Sequence, residues 1–350
     1  MSRLFSHSAM ARIGSTLFEA VGAPKVEAAF VAGELVTSSL MGVDSHGILR
    51  IPEYVELVSK GVVVPGAQIT VRETSSTTAV VDGGLNFGAI TAHRVVATAV
   101  EIASKHKTAC ISTQRCNHVG RLGAWVQAAA ERDLIALATA NSPVHGHFVV
   151  PWGGKQGRLA TNPMAYGVPT GGDPIVADIS TSVVPEGKIR WHKNQGKPLG
   201  EGWVIDAEGQ PTTDPNRFYG PPMGGILPLG GSAGHKGFAL SLLVEILGSA
   251  LAGNRTTDAT VVGNGFCVIV IDPSAFCPIP QFKKLMDELV TYIKSSPPAA
   301  GVEEVLVPGE LEFRTMRQRL QQGIPVDDVT WQLVEEHARR LGVALKAPTA

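Results

Sequence analysis

Residues 44–54 read Asp-Ser-His-Gly-Ile-Leu-Arg-Ile-Pro-Glu-Tyr. The run sets a titratable imidazole, His46, four residues before a permanent cation, Arg50, and eight before a phenol, Tyr54. Asp44 or Ser45 can cap a helix that begins here, and the i, i+4, i+8 spacing then puts all three on one face. Such a helix end presents an acid/base group and a carboxylate-matching fork to one cavity. Pro52 can kink that helix, which loosens the placement of Tyr54. The plainer alternative is a capped surface helix with a solvated arginine.

Three further segments hold residues able to do chemistry. Asn117-His118-Val119-Gly120-Arg121-Leu122-Gly123 falls between a strand end and a helix start, a crossing that often lines a cleft in α/β proteins. There His118 is either a second acid/base group or the residue that orders a turn capped by Asn117. Gly157–Pro163, which contains Thr161 and Asn162, is followed by Ala177-Asp178-Ile179-Ser180-Thr181-Ser182. Hydroxyls and backbone N–H groups at such a turn suit phosphate oxygens, and the carboxylate can orient an imidazole, although a Ser/Thr-rich Asx turn explains the same letters. Glycines leading into His235-Lys236-Gly237 at the start of a long helix make a plausible anion site. Pro308-Gly309-Glu310, with Arg314 four residues on, reads as a tight turn into a helix.

Several chemistries are absent or poorly supported. No GxGxxG, P-loop or HExxH occurs, and Gly263-Asn264-Gly265 fails because the sixth position is Val268. Gly230-Gly231-Ser232-Ala233-Gly234 matches GxSxG formally, but Pro228 and the glycines before it are poor material for the strand a nucleophile elbow requires. The four cysteines, Cys110, Cys116, Cys267 and Cys277, lack metal-type spacing and fit reduced thiols of a cytoplasmic protein. A net charge of −1 with scattered Lys and Arg gives no footprint for nucleic acid or an anionic membrane. The apolar stretch Phe238–Gly253 is interrupted by Glu245 and is short for a bilayer span, and MSRLFSHSAMARIG lacks the apolar core of a secretion signal.

With 350 residues, 44% hydrophobic and 17% charged, the chain is large and apolar enough for two lobes. Periodicity predicts helices over 6–21, 25–41 and 46–60, then strands 69–73 and 78–81, helix 89–105, strand 109–113, helix 121–132 and strand 134–139. A Gly/Pro-rich middle, 151–234, holds short strands near 174–179 and 203–205. Helix 236–252, strand 266–271, helix 281–295, strand 302–307 and helices 310–322 and 326–341 complete the reading. The expected plan is an α/β core, 69–309, flanked by a discontinuous helical lobe from 1–68 and 310–350.

DSHGILRIPEY, NHVGRLG, the Gly153-Gly154 to Asn162-Pro163 segment, ADISTS, GWVIDAEGQPTTDP, LPLGG and HKGFALSLLVEILGSALAG cover nearly the whole chain. In these stretches it resembles the malate/L-lactate dehydrogenase family that is separate from the Rossmann-type enzymes. HVGRLGAW and the C-terminal LVPGELEFRTMRQRLQQGIPVDDVTW look most like the hydroxycarboxylate dehydrogenase B branch. The resemblance implies a non-Rossmann NAD(P)-binding mixed-sheet fold, a homodimer with sites near the interface, and a small carboxylic acid as substrate. It implies that His46, Asp178 and His118 are catalytic, with Asp178 holding His46, and that Ser45, Arg50, Tyr54 and Thr161 bind substrate. It places Ser142, Asn162, Asp178, Ile179, Ser180, Thr181, Ser182, His235, Lys236, Gly237, Pro308, Gly309, Glu310 and Arg314 at the cofactor.

The chemistry so implied is hydride transfer between a nicotinamide and a 2-hydroxy or 2-oxo acid. No metal is expected, because an imidazolium can polarise the carbonyl. Two departures, the third residue of DISTS and the added Ser-Ala-Gly before His235, leave NAD and NADP both open, with NAD slightly favoured. Reduction of cyclic 2-imino acids is the alternative chemistry. A non-catalytic nucleotide-binding protein is the alternative class.

Overall fold

The computed structural model describes residues 2–260 and 263–345. A short strand, β1 (Ser2–Phe5), leads into α1 (His7–Ala20), whose N-cap Ser6 accepts a hydrogen bond from the Ala9 N–H. Met10, Ile13, Leu17 and Phe18 are buried at three- and four-residue intervals, so α1 forms one apolar face. It packs against α2 (Lys25–Leu40), which stops at Gly42 in a left-handed conformation (φ +80°).

The next helix, α3 (Arg50–Ser59), begins later than its spacing predicts. Asp44–His46 is a single 3₁₀ turn, and Gly47 (φ −101°, ψ −144°) breaks the run. A Cβ on Gly47 would sit 2.0 Å from the Ser39 hydroxyl, which accepts a hydrogen bond from the Ile48 N–H. His46, Arg50 and Tyr54 therefore do not share a helix face. Pro52 falls in the first turn of α3, where a missing N–H costs nothing. Asp44 does not cap the helix: its carboxylate takes the Arg319 fork at 2.7 and 3.1 Å, tying this turn to the C-terminal part of the chain.

The centre is a seven-stranded mixed sheet. Its strands are β2 (Thr70–Glu73), β3 (Thr78–Asp82), β4 (Thr108–Gln114), β5 (Ile135–Asn141), β6 (Met164–Val168), β7 (Ile175–Ile179) and β11 (Gly265–Ile271), in the order β2-β3-β4-β11-β5-β6-β7. Only the β3–β4 pair is parallel, and α4 (Gly88–His106) makes the crossover that a parallel pair requires. Helix α4 and α5 (Leu122–Ala130) cover one face. There α5 comes so close to β6 that a Cβ on Gly167 would lie 2.4 Å from the Val126 carbonyl oxygen. On the opposite face lies α8 (Gly234–Gly248), whose Leu247 carbonyl accepts from Ser112 of β4.

Between β7 and α8 come α6 (Glu186–Asn194), β8 (Val204–Ile205), β9 (Pro211–Thr212), α7 (Pro215–Tyr219) and β10 (Gly225–Ile226), around their own core of Val149, Ile189, Phe218 and Ile226. The chain finishes with α9 (Ile279–Lys294), α10 (Glu310–Gln322), β12 (Ile324–Asp327) and α11 (Asp328–Arg340). Strand β12 pairs with β1, which brings the two ends together.

Three sequence readings are corrected. Residues 302–307 form no strand: only the Pro308 carbonyl, just past the segment, meets the edge of the sheet, at the Val176 N–H of β7, and Val302 and Leu306 stay exposed. Strand β6 and helix α6 lie in the segment expected to be mostly loop, and β6 is legible only through its partners β5 and β7. Finally, Gly231–Ala252, which is α8 with a 3₁₀ turn at each end, is a 22-residue stretch of mean hydropathy 1.3, longer than Phe238–Gly253 and long and apolar enough by composition to cross a membrane. Glu245, in its middle, is instead buried against Asn141 and Asn162.

Candidate active site

A cavity opens where the 3₁₀ turn after α2, the start of α5, the ends of β6 and β7, and the first turn of α10 converge. Ser45 and His46 form one wall, Arg121 and Asp178 another, and Thr161, Ser180, Gly309 and Phe313 contribute to the rest.

His46 is held at Nδ1 by the Ser45 hydroxyl at 2.9 Å. Its ring stacks on His118, centroids 5.3 Å apart and planes at 19°. His118 sits behind it, with Nδ1 2.6 Å from the buried Tyr54 hydroxyl. Burial, reinforced by the nearby Arg50 and Arg121 charges, pushes the His46 pKa down to about 4. Burial also takes His118 well below its ordinary value, with Arg50 and His46 adding to the shift. Tyr54 is raised by burial. The pair is thus a neutral, stacked imidazole couple at neutral pH. Asn117 does not cap α5; its amide donates to the Leu85 and Asn86 carbonyls at 2.8 and 3.0 Å and fixes the loop that carries His118. A Cβ on Gly88, at the start of α4, would lie 2.2 Å from the His118 carbonyl oxygen, so only glycine lets α4 pass this loop.

Asp178 faces the cavity from the end of β7, yet no hydrogen bond joins it to His46. Its Oδ2 accepts from the Gly123 N–H at 2.7 Å, at the positive end of α5. Burial raises its pKa, while that hydrogen bond and Arg121 pull the other way. The expectation that Asp178 holds His46 is therefore corrected: Ser45 and the His118 ring hold it. Arg50 likewise turns aside. Its Nε donates to the Ser45 carbonyl at 2.8 Å and its Nη1 pairs with Glu53 at 2.5 Å, so it braces the turn that carries His46.

The residues expected at a cofactor divide into two groups. Asp178, Ser180, Gly309 and, from the substrate set, Thr161 line the cavity. Behind them, the Thr161 carbonyl accepts from the Ser180 hydroxyl at 3.0 Å and from the Thr181 N–H at 3.0 Å, and Ser182 bonds to Ser180 at 2.6 Å. Asn162 is fully buried in a left-handed conformation (φ +39°); its amide donates to Glu245 at 2.9 Å and to Ser241. Ile179 points outward. Ser142 bonds Asn264 at 3.3 Å, away from the cavity. His235 and Lys236 are exposed at the start of α8, with His235 edge-on to Trp152, and Gly237 packs under Leu229. The Pro308 carbonyl accepts from Val176, and Glu310 is engaged by Lys294 and Arg314 at 2.5 Å each, so neither Glu310 nor Arg314 reaches the cavity. The GxSxG segment forms a 3₁₀ turn into α8, not a strand-to-helix elbow.

Arg121 is the residue whose importance the motifs did not reveal. A cation at the first turn of a helix opposes the helix dipole, and that was the available signal.

The cavity's contents fit the ring end of a nicotinamide cofactor. Apolar Met41, Val176 and Phe313 line it together with the hydroxyl-bearing Thr161 and Ser180. An aromatic ring needs the first; an amide and a ribose need the second.

A family model described as malate/L-lactate dehydrogenase matches residues 5–335. The chain is 34% identical over 333 residues to a malate dehydrogenase of Pyrococcus horikoshii, covering 92% of this chain and 91% of that protein. It is 34% identical over 337 residues to hydroxycarboxylate dehydrogenase B of Escherichia coli O157:H7, covering 93% and 91%. The solved sulfolactate dehydrogenase of Methanocaldococcus jannaschii matches with a TM-score of 0.88 at 29% identity, covering 99% of each chain.

Proposed function

The chain belongs to the malate/L-lactate dehydrogenase family and is a hydroxy-acid oxidoreductase, and from that premise we propose that His46 moves the substrate's hydroxyl proton in the cavity described above. The observation that carries the reading is a neutral, half-buried imidazole on the cavity wall, with two guanidiniums nearby. A bound nicotinamide supplies or accepts the hydride.

In oxidation, His46 takes the proton from the C2 hydroxyl. The reaction needs the tautomer in which Nδ1–H donates to Ser45 and Nε2 keeps its lone pair. His118, braced by Tyr54, keeps the ring flat against a second imidazole, so the base is preorganised. In reduction the same nitrogen returns the proton; an anionic acid lying between His46 and the guanidiniums favours the charged imidazolium. Arg50 is proposed to take the C1 carboxylate after releasing Glu53, a partly exposed pair worth at most about 1 kcal/mol. Thr161 and Ser180 are proposed to hold the nicotinamide end and Lys236 the phosphates. NAD is favoured over NADP, and a cytoplasmic location is proposed on the strength of four free cysteines.

The test is an absorbance screen of NADH and NADPH oxidation against 2-oxo acids and cyclic 2-imino acids. Turnover with 2-oxo acids is expected. Turnover with cyclic imines alone would replace the reading with an imine reductase, and none with either would leave a binding protein.

A homodimer is part of the proposal. The sheet face that carries α8 leaves Leu137, Tyr166 and Ile179 exposed, and Leu240, Leu243 and Ile246 of α8, which packs on β5, are exposed as well. An apolar tract of that kind calls for a cover, and a second copy of this chain brings an identical one. Sedimentation at micromolar concentration is expected to give twice the 36.8 kDa chain mass, and Leu243→Glu to give the monomer. A wild-type monomer would refute it.

A further inference from the structure

Arg121 is buried, at 5% exposure, yet no ion pair among the described residues involves it. Its Nη2 donates to Gln127 at 2.9 Å, while its Nε has no hydrogen-bond partner. A buried guanidinium with an orphaned donor costs free energy unless something supplies the missing acceptor. The carboxylates that surround it do not. Asp178 spends Oδ2 on the Gly123 N–H. Nη1 of Arg121 and Oδ2 of Asp178 lie 3.0 and 3.3 Å from one shared point, the place a Cβ on Gly123 would occupy, and still form no pair. Glu34 and Glu312 influence Arg121 only through space, and burial pushes Glu34 and Asp178 toward their neutral forms. The guanidinium thus keeps part of its donor set free beside the cavity it lines.

The two cations act on His46 from different positions. Arg50 opens α3 and donates to the Ser45 carbonyl, whereas Arg121 stands at the start of α5 and lines the cavity with Asp178. An acid with one anionic group needs only one of them.

The geometry points to Arg121 as the specificity-determining residue for a second anionic group on the substrate. The preferred substrates are then 2-hydroxy acids carrying a distal carboxylate or sulfonate. Their C1 carboxylate goes to Arg50 and their distal group to the free edge of Arg121, with C2 between them beside His46. This rests on the proposed dehydrogenase reading and narrows it from hydroxy acids in general to dianionic ones.

The experiment compares kcat/KM for oxidation of malate and of lactate in wild-type protein, Arg121→Gln and Arg121→Lys. Wild type is expected to favour malate. Arg121→Gln should lower malate kcat/KM about 10- to 150-fold more than it lowers lactate kcat/KM, the loss of a charge-assisted bond made only by malate. Equal losses on both acids would overturn the assignment, because Arg121 would then serve C1 or the fold. A wild-type preference for lactate would also overturn it, while leaving the dehydrogenase reading intact; no turnover of any acid would instead remove that reading and this inference together. Should Arg121→Gln fail to fold, Arg121→Lys retains the charge but not the fork. Its malate-to-lactate ratio is expected to fall about 10-fold, a loss near 1.4 kcal/mol confined to malate, and an unchanged ratio would overturn the proposal.

Discussion

His46→Ala is expected to reduce turnover by roughly 10²–10⁴-fold, the range for a positioned acid or base. The residue lines the cavity, has one ring nitrogen held by Ser45 and keeps the other for substrate. Folding should survive, because the small ring sits on the cavity wall and His118 remains anchored by Tyr54. Turnover within about 3-fold of wild type, with an unchanged circular dichroism spectrum, would remove His46 from the proton path.

The pH dependence separates this role from a merely structural one. With a folded pKa near 4, His46 is already the neutral base across the neutral range. The acid limb of kcat/KM for hydroxy-acid oxidation should therefore fall near pH 4, not near the ordinary histidine value of 6.5. The same shift affects stability. The unfolded chain takes up this proton near 6.5 and the folded chain only near 4, so the folded state loses ground as the pH falls through that window. His46→Asn should flatten that part of the stability profile.

Glu245→Ala is the second large effect. Glu245 is buried on α8, and its two carboxylate oxygens accept from Asn141 at 2.6 Å and Asn162 at 2.9 Å. Removing it leaves the buried Asn141 amide without its acceptor, while the Asn162 amide keeps Ser241, so a loss of about 1–3 kcal/mol is expected. The damage should reach the cavity. Asn162 would lose the bond that helps hold its left-handed turn, and Thr161, next in the chain, anchors Ser180 and Thr181. The urea midpoint should drop at constant slope, with kcat falling in the surviving native fraction. A midpoint equal to that of wild type would mean that solvent already reaches Glu245.

Much of this protein is written locally. Apolar residues at helical spacing mark α1 and α2, and runs such as Phe266–Ile271 mark buried strands, because a helix or strand must present one continuous apolar surface to its neighbours. The same local reading singled out His46, His118, Thr161, Asp178 and Ser180 as candidates, and their ordered motifs carry the family. Spacing could not decide how these groups face one another. His46 and Arg50 part company because Gly47 is pressed against Ser39 on α2, a contact between separate segments. Asp178 goes to the N-terminus of α5, and not to His46, because β7 ends beside α5. Arg121 gains its place only when α5 is packed on the sheet, which removes it from water without supplying a counter-ion. Type and order of residues follow from backbone periodicity and side-chain chemistry within a few turns of chain. Orientation, burial and charge pairing depend on surfaces that meet only after distant segments pack, and those interactions set the proton affinity of His46 and the free edge of Arg121.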